Sequence, residues 1–132
     1  MTSEKLTREQ LRAQIAYDAV KKLEGEDAAK DYGSMALRFP ALLRSAGLVQ
    51  ALAFVHSRGN EGHKRFIHDF AEALLKLGDK SYSHDTLFYD TYFKEAQSAE
   101  LPQYIRMTRE ALALADWFKR FAQSVLKAEP GE

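Results

Sequence analysis

Four histidines and nineteen carboxylates are the side chains of this sequence best equipped for chemistry, since it contains no cysteine. A zinc pair on a helix needs histidines four apart with a glutamate between them, so that both imidazoles share a face. His63 and His68 are five apart and fall on different faces. With His56 and His84 they read as surface or helix-end residues. His68-Asp69 is the sharper pair. On a helix, with an upstream histidine and a downstream aspartate, such a pair matches in outline the ligands of metal-dependent phosphohydrolases. His56 or His63 and Asp79, Asp85 or Asp90 would be the outer ligands. Two-residue motifs arise easily in so charged a chain, and 132 residues is short for that enzyme fold. Gly78-Asp79-Lys80-Ser81 lacks the second glycine of a phosphate loop and the strand before it, so it reads as a helix stop and turn. No thiolate is available, and no serine sits in a strand-to-helix elbow. By elimination, the sequence predicts no enzyme, no metal and no cofactor.

Binding chemistry is better represented. Drawn as a helix at ~100° per residue, the C-terminal segment places Tyr104, Met107, Ala111, Leu114, Phe118, Phe121 and Val125 on one broad core face. Arg106, Arg109, Arg120 and Lys127 align opposite, with only Asp116 and Ala113 among them. Such a stripe is either a solvated helix back or a track that follows phosphates without reading sequence. Ile105, Leu112 and Leu126 flank it on one side and Trp117 on the other. These either pack under neighbouring helices or meet another protein, and tryptophan and arginine together are favoured at interfaces. Phe88, Tyr89, Tyr92 and Phe93, with Tyr82 just before them, read as aromatic core or as stacking surface. Arg38, Arg44, Arg58, Lys64 and Arg65 supply further basic groups around an apolar third helix. Arg58, Lys64 and Arg65 bracket the Gly59–Gly62 turn.

The elements that must position these residues are helices. Apolar residues recur at three and four, and no hairpin turn separates alternating segments. Thr7 and Gln10 have capping-box spacing and open a first helix carrying Leu11, Ile15, Ala16, Ala19, Val20 and Leu23, closed by Gly25. Asp27 is expected to cap a second helix to Phe39, where Pro40 predicts a kink or break. Ala41 to Ala46 then forms a short piece, and Gly47 punctuates it. Leu48 to Ser57 is apolar nearly all round, which predicts burial. Gly59-Asn60 ends it. Glu61 to Leu77 is a fourth helix with Phe66, Ile67, Phe70, Leu74 and Leu77 as its stripe and Gly78 as its C′ residue. After a loop to Ser83, Ser83 or Asp85 caps a fifth helix ending near Ser98. Pro102 suits the first turn of a sixth helix running to about Lys127, followed by a short tail, residues 129–132. The fold class is all-α, a single compact bundle of about six helices in one domain over residues 1–132.

Composition narrows the function classes. Hydrophobic residues make up 45% of the chain and charged residues 29%, enough for both a core and a soluble surface. Nineteen basic groups balance nineteen acidic ones, so nucleic-acid binding has to come from a local patch. The longest apolar runs, at 51–55 and 111–115, fall far short of the ~18 residues of a membrane span. The charged N-terminus has no signal-peptide core. The absence of cysteine suits a reducing compartment, and a cytoplasmic location with no membrane partner is expected.

The segments Tyr32-Gly33-Ser34-Met35-Ala36, Phe39-Pro40-Ala41-Leu42-Leu43 and Gly47-Leu48-Val49-Gln50-Ala51-Leu52-Ala53-Phe54 resemble the signature of one family. That family is the small α-helical subunit of the Cmr effector complex, the type III-B CRISPR RNA-guided machine. Met107-Thr108-Arg109-Glu110-Ala111-Leu112 and Trp117-Phe118-Lys119-Arg120-Phe121-Ala122 are similar to its closing helix. The resemblance spans the chain and is loosest over Glu61 to Ser98. It implies a subunit without nuclease activity that stacks in a few copies beside other Cmr subunits. Such a subunit supports the channel where guide RNA meets target RNA, touching RNA independently of sequence. Arg106, Arg109, Lys119 and Arg120, with Arg44 and Arg58 beside the matching block, are the candidate RNA contacts. Ile105, Leu112 and Trp117 are the candidate protein contacts. The equivalent subunit of a sister type III complex, the His68/Asp69 phosphohydrolase and a generic helical interaction module are the alternatives.

Overall fold

The computed structural model describes residues 5–78 and 87–130 and places six helices along them: α1 Arg8–Lys21, α2 Ala29–Ala46, α3 Leu48–His56, α4 Glu61–Leu77, α5 Phe88–Ser98 and α6 Leu101–Ser124. No strand occurs among the described residues. The expected loop, Tyr82, His84 and the caps Ser83 and Asp85 lie outside them. So do Asp79, Lys80 and Ser81.

Local chemistry explains most boundaries. The Thr7 hydroxyl accepts from the Gln10 amide at 3.0 Å and the Gln10 side chain accepts from the Thr7 amide at 2.7 Å, a reciprocal capping box. The Asn60 side chain accepts from the amides of Gly62 and His63 at the start of α4. Gly47, at φ +88°, lets the chain turn between α2 and α3 without an intervening loop. Pro102 falls in the first turn of α6, where its missing N–H is no loss.

Several expectations are corrected. Pro40 neither ends nor divides α2, which runs unbroken from Ala29 to Ala46. An interior proline costs about 3 kcal/mol. Pro40 is itself buried, beside fully buried Phe39, and packing of α2 against α6 and α4 offsets that cost. Asp27 is not the cap of α2; Ala28 holds that place with no side-chain bond, and backbone turns from Glu26 lead into the helix. α3 is not buried all round: Phe54 is 40% exposed. Gly78 ends α4 at φ −80°, outside the left-handed region. α6 stops at Ser124, so Lys127 is not part of its stripe.

α4 packs against all five other helices, and α6 packs most extensively on α2 and α1. The core centres on the fully buried Phe66 ring. It meets Tyr32, Phe39 and Phe118 edge-on at centroid distances of 5.5, 5.2 and 5.7 Å. Edge-to-face geometry of this kind adds about 0.5–1.5 kcal/mol per pair beyond burial. The two glycines of the helix joints have steric roles. A Cβ on Gly33 would lie 2.7 Å from the Ala128 methyl, and one on Gly62 would lie 2.7 Å from the Ala28 carbonyl and the Tyr32 nitrogen. The Tyr32-Gly33 step therefore admits the segment after α6, and Gly62 admits α2.

Candidate nucleic-acid interface

The outer face of α6 is framed by α1 on one side and the C-terminal end of α2 on the other. Trp117 is half-buried and stacks on Phe121 at 5.6 Å, and Phe121 meets Tyr17 of α1 edge-on at 5.3 Å. On the other side, Arg44 of α2 reaches Asp116 at 3.7 Å, both side chains being more than half exposed. Arg109, Lys119 and Arg120 are exposed along the same helix. Arg44 thus joins the stripe through Asp116, which the linear sequence does not indicate. Glu110, on the margin toward α1, is tied up: Arg8 and Arg12 both bond its carboxylate. Burial pushes this carboxyl up, but the two guanidinium bonds outweigh it and hold it below the usual range.

The remaining predicted residues are separated from this face. Arg106 bonds Gln103 at 2.8 Å and lines a different cleft, with Arg8, Glu95 and Glu110. The Arg58 guanidinium sits 5.5 Å over the Phe54 ring at the end of α3 and borders a cleft at the far end of α6. Of the candidate protein contacts, Leu112 packs partly against the core and Trp117 is covered on one side by Phe121, whereas Ile105 is 41% exposed. The α5 aromatics mostly pack inward. Tyr92 is buried, and Tyr89 lies parallel to His56 at 4.0 Å and stacks on Phe93.

His68 and Asp69 do meet, with Nδ1 3.3 Å from Oδ1, and Glu72 brings a third potential ligand atom within 4.8 Å of theirs. The buried Asp69 carboxylate already has other partners. It accepts the Tyr32 hydroxyl at 2.8 Å and faces Arg65 at 3.5 Å. A cation there would compete with Arg65 for this carboxylate. Of the outer ligands, His56 stacks on Tyr89 and His63 faces the Arg58 cleft, while Asp79 and Asp85 lie outside the described residues. His63 is not a surface residue, being only 5% exposed.

The two histidines have opposite proton linkages. Burial, then the nearby Arg58, depresses the His63 imidazole, with Arg38 adding to this and Asp31 opposing it. The hydrogen bond to Asp69 raises His68 against its partial burial, with the Asp69 and Glu72 charges assisting and Arg65 opposing. The unfolded reference is about 6.5. His63 therefore contributes stability above that value that is lost as pH falls through its folded pKa. His68 contributes stability below about 6.5 that is lost as pH rises through its folded pKa. Melting curves between pH 8 and 5 should show His63→Gln flattening the acid-side loss and His68→Gln steepening it. Parallel profiles for wild type and both variants would contradict these assignments.

A small all-helical protein with an arginine-bearing outer helix is the class that this fold and surface define. The family model described as CRISPR-associated protein (Cas_Cmr5) matches residues 8–125. The CRISPR system Cmr subunit Cmr5 of Thermus thermophilus is 44% identical over 121 residues, covering 92% of this chain and 97% of that protein. The X-ray crystal structure of a CRISPR-associated Cmr5 family protein from Thermus thermophilus superposes with a TM-score of 0.81 at 43% identity, over 92% of this chain and 99% of that one. This chain belongs to the Cmr5 family.

Proposed function

We propose that the chain is a non-catalytic subunit of a Cmr-type CRISPR ribonucleoprotein in the cytoplasm. There it stacks with copies of itself and with other Cmr subunits, and supports the guide RNA and target RNA channel without reading sequence. Membership of the Cmr5 family supports the assembly role, since the Thermus relative is named as a Cmr subunit. The observation that carries the RNA role is the outer face of α6, where exposed Arg109, Lys119 and Arg120 are joined by Arg44 from α2. Guanidinium and ammonium groups on one exposed face suit phosphate oxygens, which give affinity without base specificity. Zero net charge leaves weak binding to the isolated chain, and affinity grows when several copies align their patches along one RNA. Ile105, with the exposed edges of Leu112 and Trp117, is the contact for a neighbouring subunit.

Reversing charge at Arg44, Arg109 and Arg120 together tests the RNA role in a reconstituted complex. Guide–target RNA retention should fall at least about tenfold. Its salt dependence should become shallower by about 0.7 in log–log slope for each phosphate that is no longer neutralised. Normal incorporation of the variant with unchanged affinity and slope would overturn it.

A further inference from the structure

Between the start of α1, the end of α4, α5 and the first half of α6 lies a cleft of about 280 Å³. Its floor is apolar, formed by Leu74, Leu75 and Met107, all buried. Arg8 holds the walls together: it donates to the Leu77 carbonyl of α4 at 2.6 Å and to Glu110 of α6 at 2.9 Å. Tyr92 of α5 lines the same cleft and is only 5% exposed, yet its hydroxyl has no hydrogen-bonding partner among the described residues. The hydroxyl is not sealed off, since the side-chain polar atoms that are both inaccessible and unpaired are Arg38 Nε and His63 Nδ1. It therefore opens into the cleft that its ring lines. Burial pushes its pKa well up, with Glu95, Glu110 and Tyr104 adding to this, so it stays a neutral hydroxyl that can donate as well as accept. Leaving such a group unpaired is costly, and native proteins do so sparingly. Gln103 and Arg106, bonded to each other at 2.8 Å, are exposed at the mouth.

We propose that this cleft binds a nucleobase, with the Tyr92 hydroxyl as its central hydrogen-bond partner and Met107 against a ring face. The mixed lining selects such a ligand. Arg8 and Arg106 balance Glu95 and Glu110, and Arg8 is already paired with Glu110, so the cleft offers no net charge to an ion. A neutral heterocycle has apolar faces and an edge that carries both donors and acceptors. The faces match Leu74, Leu75 and Met107, whose thioether makes favourable contacts with aromatic rings. The edge matches the Tyr92 hydroxyl and the Gln103 amide. An aliphatic or phenyl side chain from another protein would fill the floor and leave the hydroxyl unpaired. The volume is that of the smallest ligand sites, which run from roughly 300 to 1,000 Å³, and suits a single base. Arg106 stands where the attached ribose or phosphate would leave the cleft. The site is separate from the outer face of α6, and its assignment holds whether or not that face meets RNA.

The test is NMR titration of the full chain with adenosine, cytidine, ribose 5-phosphate, a short single-stranded oligoadenylate and N-acetylphenylalaninamide, which stands in for another protein's side chain. Adenosine and cytidine should shift the Met107 methyl and Tyr92 ring signals, and ribose 5-phosphate should not. Tyr92→Phe should weaken adenosine binding roughly threefold to tenfold, the loss of one hydrogen bond. The same variant should melt at or slightly above the parent temperature, because the hydroxyl has no partner in the fold. If the oligoadenylate displaces adenosine, the cleft takes a base of an RNA strand; if only the nucleosides bind, it takes a free nucleoside or nucleotide. Absence of shifts at Met107 and Tyr92 with every base-bearing probe would overturn the proposal. So would binding of ribose 5-phosphate or the phenylalanine amide as tightly as adenosine, or unchanged adenosine affinity in Tyr92→Phe. A fall of several degrees in the melting temperature of that variant would also overturn it, by showing that the fold itself uses the hydroxyl.

Discussion

A Phe118→Ala variant should melt roughly 10–20 °C below the parent chain. The ring is fully buried and meets Phe66 and Phe70 edge-on at 5.7 and 5.5 Å, so its removal opens a cavity where α6 crosses α4. Truncating a buried phenylalanine costs about 3–5 kcal/mol. Against a total stability of about 5–15 kcal/mol, that is a large share. For a domain of this size each kcal/mol lowers the melting temperature by roughly 3–5 °C. Circular dichroism melting checks the value, with Phe118→Leu as the control that keeps most of the volume. A loss of only a few degrees for the alanine variant would mean that α6 is not seated as described. The proposed RNA face depends on the same packing, because Arg109, Lys119 and Arg120 share a helix with Phe118. Their spacing across to Arg44 depends on α6 being fixed against α2.

Gly62→Val should be comparably damaging for the opposite reason. The new side chain would meet the Ala28 carbonyl and the Tyr32 nitrogen, each 2.7 Å from its Cβ, and backbone cannot swing aside as a flexible side chain can. Overpacking costs about 1–3 kcal/mol and occasionally more. The strain would spread to the buried Tyr32–Asp69 hydrogen bond, since Tyr32 is one of the displaced residues. The expected result is a fall of roughly 5–15 °C in melting temperature together with faster amide exchange at the start of α4. A variant that melts like the parent would show that α2 and α4 are further apart there. Gly62→Ala separates the effects, since alanine gains helix propensity worth up to ~1 kcal/mol but still introduces the clashing Cβ.

Much of this fold is legible in the sequence where local chemistry decides it. The Thr7–Gln10 box, the glycine at 47 and Pro102 in the first turn of α6 follow from local chemistry, and the span of α4 follows from periodicity, although its Asn60 cap does not. Pro40 misleads because its local cost is met by burial in a helix that two neighbours hold, which no local rule detects. Lys127 misleads because a helical wheel continues past the point where the chain turns back, and the signal for that turn is the distant Gly33, which accommodates Ala128. The basic stripe at Arg109 and Arg120 is readable from spacing, whereas Arg44 joins it only through the packing of α2 on α6. The Tyr92 cleft and the burial of His63 are not readable at all. The residues of the cleft come from separate helices, and burial of His63 follows from the approach of α4 to α2 at Gly62.

The claim at the centre of this account is that the outer face of α6 lies against RNA in the assembled particle. The direct measurement places a photo-crosslinking residue, p-benzoylphenylalanine, at Lys119 on that face and, as a control, at exposed Lys94 on α5. The complex is then assembled with labelled guide and target RNA and irradiated. The account predicts RNA adducts from position 119 and none from position 94. Incorporation of both variants with adducts only to protein from position 119, or with RNA adducts only from position 94, would contradict it.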